Sequence, residues 1–415
     1  MAEQSPRRVA VTGLGVACAI GTDIESFRTS LFAGRGGIAR LRSLDTSEMK
    51  VGIGGEVDPD FVPAGLKRLR RRPADRAVDL GLVTAAEALE DAGLIDGAPP
   101  YEAQPVAVIL GTAVGAAESN TTLQQRFAER GVRGLRPTSV PRVMDNAISG
   151  GISIHFRLTG ANFVVISACT SATNAMGTAY RMVRHGYADT VLTGGADGFF
   201  DPFYYGVWNN LGVMSKNPDP ARACRPFDAD RDGCVLGEGA GMLVFESWDR
   251  ARGRGAPVRG EIVGYGESSD ASHITSPSAE GQAAAMRAAL ASAGIQPADL
   301  GAVNAHGTAT LANDVCESGS ICTVLGGAAE RAPVSANKSY FGHTLGASGA
   351  IEAIASLLGI ERGLLPPNLN LENPDPECRV RLVGGDPEPL ERPFVMKNSF
   401  GFGGSNGVLV LGPGE

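Results

Sequence analysis

The sequence predicts an α/β protein whose strands are buried and whose two halves are related. Three features carry that expectation. Short β-rich apolar runs alternate with longer stretches of helical periodicity. The 56 glycines gather in short clusters that punctuate those runs, as turns and close backbone contacts require. The order of strand, turn and helix landmarks also repeats along the chain.

Strands are expected at residues 9–12, 106–110, 163–167 and 190–192. Helices are expected at 75–92 and 283–293, where Ala, Leu and Val recur at three- and four-residue spacing. In the first half a strand ends in a Gly-Thr turn (AVILGTAVG, 107–115), a second runs into a cysteine (VVISACTSATNAMG, 164–177) and a third into glycines (TVLTGGADG, 190–198). The second half offers AVNAHGTAT (302–310), PVSANKSYFGHTLGASG (333–349) and FVMKNSFGFGGSNG (394–407) in the same order. Duplication accounts for this, and so does chance recurrence of a common strand–turn–helix unit. The Gly/Arg-rich stretch 250–259 is the natural hinge, which divides the chain into 1–255 and 256–415.

With 415 residues, 43% hydrophobic and 20% charged, the chain is long enough for two compact units or one duplicated one, and apolar enough to bury a large core. Its 37 Lys+Arg against 45 Asp+Glu give a net charge of −8, the wrong sign for a surface that grips nucleic acid. No apolar run is long enough to span a membrane and no signal-peptide core opens the chain, so a cytoplasmic protein with no membrane partner is expected. The seven cysteines are odd in number, scattered and without a C-x-x-C pair, which argues for reduced thiols. With five histidines the set offers few ligands at zinc-site spacing, and no metal is expected.

Cys169 follows VVISA, suited to the end of a buried strand, and precedes a helical pattern. At a helix N-terminus a thiolate is favoured by about 1 kcal/mol and backbone N–H groups can hold an oxyanion. Cys169 therefore reads as a nucleophile, or else as a small buried hydrophobe. His306 and His343 each stand beside Gly after an apolar run, on the sheet edge where α/β proteins gather their chemistry. Each alone reads equally as a structural hydrogen bonder; together with Cys169 they suggest one site, in which neutral imidazoles donate to a developing enolate or oxyanion. Lys338 and Glu352 flank His343 and form either an internal ion pair or two solvated charges. The segment 401–407 (GFGGSNG), preceded by Phe400, is a flexible backbone beside a pocket or a tight turn.

Other signals fail when counted. Asp228, Asp230 and Asp232 open an EF-hand-like loop, but its twelfth position is Gly239. Gly13-Leu-Gly15 lacks the third glycine of a dinucleotide fingerprint, Cys18 standing there, and no P-loop occurs. A basic run, with Lys67, Arg68, Arg70 and Arg71, stands out on an acidic chain as a steering patch or a solvated face.

Together the motifs resemble the β-ketoacyl synthases, the condensing enzymes of fatty acid and polyketide assembly, in the branch with a Cys-His-His site. The resemblance spans nearly the whole chain through SACTSA around Cys169, RPFDADRDGCVLGEGAG (225–241), NAHGTATLANDVCE (304–317), NKSYFGHTLGASGAIE (337–352) and NSFGFGG (398–404). It implies a thiolase-like fold of two βαβαβαββ halves in five αβαβα layers, and a dimer with its site between the halves. It implies Cys169 as acyl-accepting nucleophile, His306 and His343 as the pair that promotes malonyl decarboxylation, and Lys338 organising the site through Glu352. Phe400 resembles the gating aromatic, Thr308 and Thr310 match positions contacting the pantetheine arm, and Val114 sits where the acyl pocket is lined. No cofactor is implied; substrates ride on the phosphopantetheine of an acyl carrier protein. The partner subunit is a second copy or a chain-length-factor-like paralogue.

Tyr340-Phe341, Thr170-Ser171, Ala309 and the segment 373–378 (NPDPEC) depart from the commonest fatty-acid forms and lean towards discrete polyketide or polyene systems. Two rivals remain: a non-catalytic partner subunit that sets chain length, and an acyltransferase without condensation. The basic run is assigned to carrier docking. Charge reversal at Arg70 and Arg71 is expected to raise the KM for carrier-bound substrate and to blunt its salt dependence, measured by steady-state kinetics over a salt series.

Overall fold

The computed structural model describes residues 6–61, 75–97, 99 and 101–414. Lys67, Arg68, Arg70 and Arg71 lie outside the described residues. A ten-stranded sheet organises the chain: β1 (Val9–Cys18), β2 (Ala107–Gly111), β3 (Asn162–Val165), β4 (Thr190–Asp197), β5 (Gly239–Ser247), β6 (Gly260–Ser269), β7 (Leu300–Asn304), β8 (Val334–Ser335), β9 (Phe394–Phe400) and β10 (Ser405–Gly412). Among the described residues the helices of eight residues or more are α1 (Ile24–Phe32), α2 (Arg76–Asp91), α3 (Ala117–Arg130), α4 (Ala147–Phe156), α5 (Ser171–Arg184), α6 (Pro202–Leu211), α7 (Ala279–Ala293), α8 (Leu311–Leu325) and α9 (Ser348–Arg362).

The strand order is β8-β7-β9-β10-β6-β1-β5-β4-β2-β3. Read from the outer edges inward, each half has the order third, second, fourth, fifth, first. Pairing repeats as well. In the first half β3, β2 and β4 run parallel while β5 joins β4 and β1 antiparallel. In the second half β8, β7 and β9 run parallel while β10 joins β9 and β6 antiparallel. The two half-sheets meet only where Val9–Val11 pair with Gly260–Ile262. Identical order and identical sense establish the duplication that the landmarks suggested.

Five layers follow from what each helix covers. Helix α2 packs on β1, β4 and β5 beside α4, and α7 packs on β6 and β10 beside α8. Between the half-sheets lie α5 and α9, which touch each other and strands of both halves. Their burial matches: Ala172, Ala175, Met176 and Ala179 of α5 and Ala350, Ile351, Ile354 and Leu358 of α9 share one apolar cluster. A helix enclosed on both sides needs small and apolar side chains around most of its circumference, and both sequences supply them.

Strand β1 extends well past the expected residue 12, through Gly13 and Gly15. A Cβ on Gly13 would stand 2.0 Å from the carbonyl oxygen of Ala88, and one on Gly15 2.1 Å from that of Thr84. These glycines let α2 lie directly on the strand; they are not turn residues. In the EF-hand-like loop Asp228 is fully buried, accepting from the N–H groups of Asp230, Glu372 and Asn373 and pairing with Arg225. It staples backbone, which leaves no room for calcium.

Candidate active site

The chemistry-bearing turns sit at one end of the parallel strands. Cys169 lies in the turn Ala168–Thr170 between β3 and α5, His306 just after β7, and His343 between β8 and α9. Cys169 and His343 thus hold equivalent places in the two halves. Ala168 is left-handed at φ +54°, a strained conformation for a residue with a Cβ. The turn is held by Thr170, whose hydroxyl donates to the Ser167 carbonyl at 2.6 Å and meets Ser405 Oγ at 2.9 Å. Ser171 Oγ donates to the Ala168 carbonyl at 2.7 Å. The strain is therefore paired with bonds that fix where the sulfur points.

Cys169 Sγ lies 3.0 Å from His343 Nε2. The other ring nitrogen, Nδ1, is 2.9 Å from Ser348 Oγ. The Ser348 hydroxyl can accept from Nδ1 or donate to it, so Nε2 can stand bare, to take the thiol proton, or protonated, to donate to an oxyanion. The His306 ring stands 5.3 Å from that of His343, edge-on at 84°. Its loop is tied from below by α8: Glu317 accepts from the N–H of His306 at 2.8 Å and of Gly307 at 2.9 Å, and Asp314 from that of Thr308 at 3.1 Å. These carboxylates are three residues apart and so share a helix face. Lys338 is buried, pairs with Glu352, donates to the His306 carbonyl and lies 3.3 Å from His306 Nδ1. The ion-pair reading of Lys338 and Glu352 is the one realised.

Burial dominates the electrostatics. It pushes the Cys169 thiol from its ordinary 9.0 up to about 11, against the opposing pull of Lys338 and of the backbone N–H groups of Phe402 and Cys169 itself. That rise is worth roughly 3 kcal/mol, more than the ~1 kcal/mol a helix N-terminus supplies. The thiolate expected from the helix end is thus corrected: the resting group is a thiol. Both imidazoles are held well below 6.5, first by burial and then by the positive charge of Lys338. They are neutral around pH 7.

A cavity of about 320 Å³ leads to these groups, with Cys169, His306 and His343 in its wall together with Thr308, Thr310 and Phe402. The two threonine hydroxyls are 2.8 Å apart. Phe400 is buried and edge-on to His306, with ring centroids 5.9 Å apart. The exposed aromatic at the cavity is Phe402, 37% accessible and stacked on Trp208 at 5.9 Å and 14°. Phe400 also stands in the cavity wall, where it backs the His306 ring, and Phe402 is the more exposed of the two. The signal was present in the sequence: Phe402 alone has glycine on both sides. Val114 does not line this cavity; its side chain packs against the apolar cluster containing Cys169, Phe199 and Leu345.

Three further residues escaped the sequence reading. Glu317 and Ser348 look like ordinary helix residues until their loops are seen above them, and Lys397 reads as an interior strand residue. The donor atoms of Cys169, His306 and His343 lie within 4.8 Å of one another, near enough to share a cation. The Lys338 ammonium, 3.3 Å from His306 Nδ1, opposes a divalent ion there.

The raised thiol predicts that alkylation of Cys169 by iodoacetamide climbs with pH without a plateau below about pH 9, as expected for a thiol pushed above its ordinary range. A plateau near neutral pH would refute the buried-thiol assignment.

The comparisons agree over the full chain. The family model described as beta-ketoacyl synthase, N-terminal domain, matches residues 6–251, and that of the C-terminal domain matches residues 259–372. The 3-oxoacyl-[acyl-carrier-protein] synthase 2 of Synechocystis is 38% identical over 414 residues, 99% of each chain. Among solved structures, the ishigamide ketosynthase/chain length factor is 34% identical with a TM-score of 0.90, over 99% of this chain and 100% of that one. A type II PKS ketosynthase, in complex with its acyl-carrier protein and bound to the hexaketide, is 27% identical with a TM-score of 0.87, over 99% of this chain and 100% of that one. Matched in order through both halves and along nearly its whole length by a 38% identical relative, this chain belongs to the β-ketoacyl synthase family.

Proposed function

We propose that the protein condenses an acyl group held on Cys169 with a malonyl unit carried by an acyl carrier protein. The contact of Cys169 Sγ with His343 Nε2 at 3.0 Å, where the cavity ends, carries this reading. An incoming acyl thioester meets the sulfur as the thiol proton passes to His343 Nε2 and on to the departing pantetheine thiol. Backbone N–H groups of Cys169 and Phe402 face the sulfur and can bond the carbonyl oxygen as it becomes an oxyanion. Covalent capture splits one difficult encounter into two steps.

The malonyl carrier then occupies the same channel, with Thr308 and Thr310 as hydroxyl partners for its pantetheine arm. Cleavage of the carboxylate releases carbon dioxide, and the bonding pair becomes an enolate whose oxygen receives hydrogen bonds from neutral His306 and His343. The enolate carbon attacks the Cys169 thioester, the new carbon–carbon bond forms, and the sulfur leaves to regain a proton through His343. The steps need no metal, flavin or nicotinamide, and the acyl chain is assigned to the Val114 side of Cys169.

The hexaketide bound by one solved relative supports a polyketide chain as the product, and the 3-oxoacyl-[acyl-carrier-protein] synthase 2 relatives support a fatty acyl one. None of the described helices is long and apolar enough to cross a membrane, in keeping with a cytoplasmic place. The proposed partner subunit, a copy or a paralogue, would cover β3. This edge strand and its flank expose Phe163 and Ile166, and the helix α4 packed on it exposes Ile154 at 82%. An apolar sheet edge left open invites pairing.

Incubation with radiolabelled acyl-carrier protein should label the wild type and not Cys169→Ala, and acyl-enzyme should release carbon dioxide from malonyl-carrier protein. Absence of label favours the chain-length subunit, and label without carbon dioxide favours a bare acyltransferase. Ile154→Glu with Phe163→Glu should shift the protein to monomers in sedimentation velocity.

A further inference from the structure

Glu352 is fully buried on α9, and its two oxygens face two different ammonium groups. Oε1 pairs with Lys338, and Oε2 lies 2.7 Å from Nζ of Lys397, itself fully buried on β9. One lysine neutralises Glu352. The second gives the Lys338–Glu352–Lys397 triad a net positive charge, offset in part by Glu317 beneath the His306 backbone, and each desolvated ion costs several kcal/mol. Hydrophobic side chains of similar volume would avoid that cost, so the charge calls for a reason.

The surroundings of Lys397 supply one. Its Nζ also donates to the Asn398 carbonyl at 2.7 Å and to Ser399 Oγ. Ser399 Oγ is 2.8 Å from Thr173 Oγ1, on the helix that the Cys169 turn opens. In the sheet Lys397 stands beside Asn304, two residues before His306. The ammonium thus reaches the carboxylate under Lys338 and, through Ser399, the nucleophile helix, from a strand paired with the one that leads to His306. The charged and titratable groups around the two imidazoles are Lys338, Lys397, Glu352 behind both lysines, Cys169, and Glu317 beneath the His306 backbone.

Resting on the condensing reading above, we propose that Lys397 is a positioning residue: through Glu352 and Lys338 it keeps surplus positive charge behind His306 and His343, so that both remain uncharged donors to the enolate. A neutral Lys338–Glu352 pair would oppose imidazole protonation less. Burial lowers Lys397 from 10.5 to about 8, with Glu352 opposing, so the charge is present at neutral and acid pH. It also adds to the effect of burial and Lys338 in holding both imidazoles low.

The sign follows. Acid inactivation sets in when an imidazole gains a proton, and removing the surplus charge brings that proton on at higher pH. The test measures carbon dioxide release from malonyl-carrier protein against pH for the wild type, Lys397→Met, Lys397→Gln and Lys397→Arg. In the neutral variants the acid limb should move up by about one pH unit, a fall of about tenfold at the acid end relative to the wild type, while Lys397→Arg keeps the wild-type limb. A structural role alone would lower Tm and leave the limb in place, which overturns the proposal. It is also overturned if both neutral variants fail to fold while Lys397→Arg folds with a shifted limb, or if neither neutral variant yields folded protein at all. No carbon dioxide from the wild type would overturn the condensing reading and this proposal together; carbon dioxide with an unmoved limb overturns this proposal alone.

Discussion

A sulfur on one half of the chain touches an imidazole nitrogen on the other, and the rest of the site is arranged to make that 3.0 Å contact useful. Neither half holds a complete site. The first contributes Cys169 on a strained turn at the start of α5, and the second contributes both imidazoles and the lysines behind them. Because the two half-sheets share one topology, the turn that follows the third strand is available twice. In one copy it bears the nucleophile and in the other the base. The packing of α5 against α9 between the half-sheets sets the distance between them.

That packing also fixes the charge states. Enclosure raises the thiol and lowers the imidazoles, so the resting groups are S–H and neutral ring nitrogen. The same enclosure makes hydrogen bonds to a developing oxyanion stronger than they would be in water. Buried cations normally destabilise, yet here they stand behind neutral donors. The ion network is a constraint on protonation as much as a contribution to stability.

Much of this was legible in the sequence because the signals are local. Residues at the ends of apolar runs lie at the sheet edge whatever the details of packing, so Cys169, His306 and His343 were found, and the repeated landmarks matched the second, third and fourth strands of each half. Strand β1 was read too short because glycine signals a turn locally, whereas Gly13 and Gly15 answer to Ala88 and Thr84 of a helix distant in sequence. Which of Phe400 and Phe402 is the more exposed was settled by the fold. Phe400 closes β9 and is buried, while Phe402, flanked by glycines in the loop beyond, is exposed.

By itself the sequence determined the alternation of strands and helices and the identity of the reacting side chains, since these follow from periodicity and side-chain chemistry; the duplication it suggested was decided by strand order and sense. Tertiary structure alone decided that the thiol rests protonated, that Glu352 serves two lysines, and that Glu317 anchors the His306 loop. Each of those depends on how much water is excluded and which distant donor arrives. Desolvation and long-range pairing are properties of enclosed volume, and no window of sequence contains them.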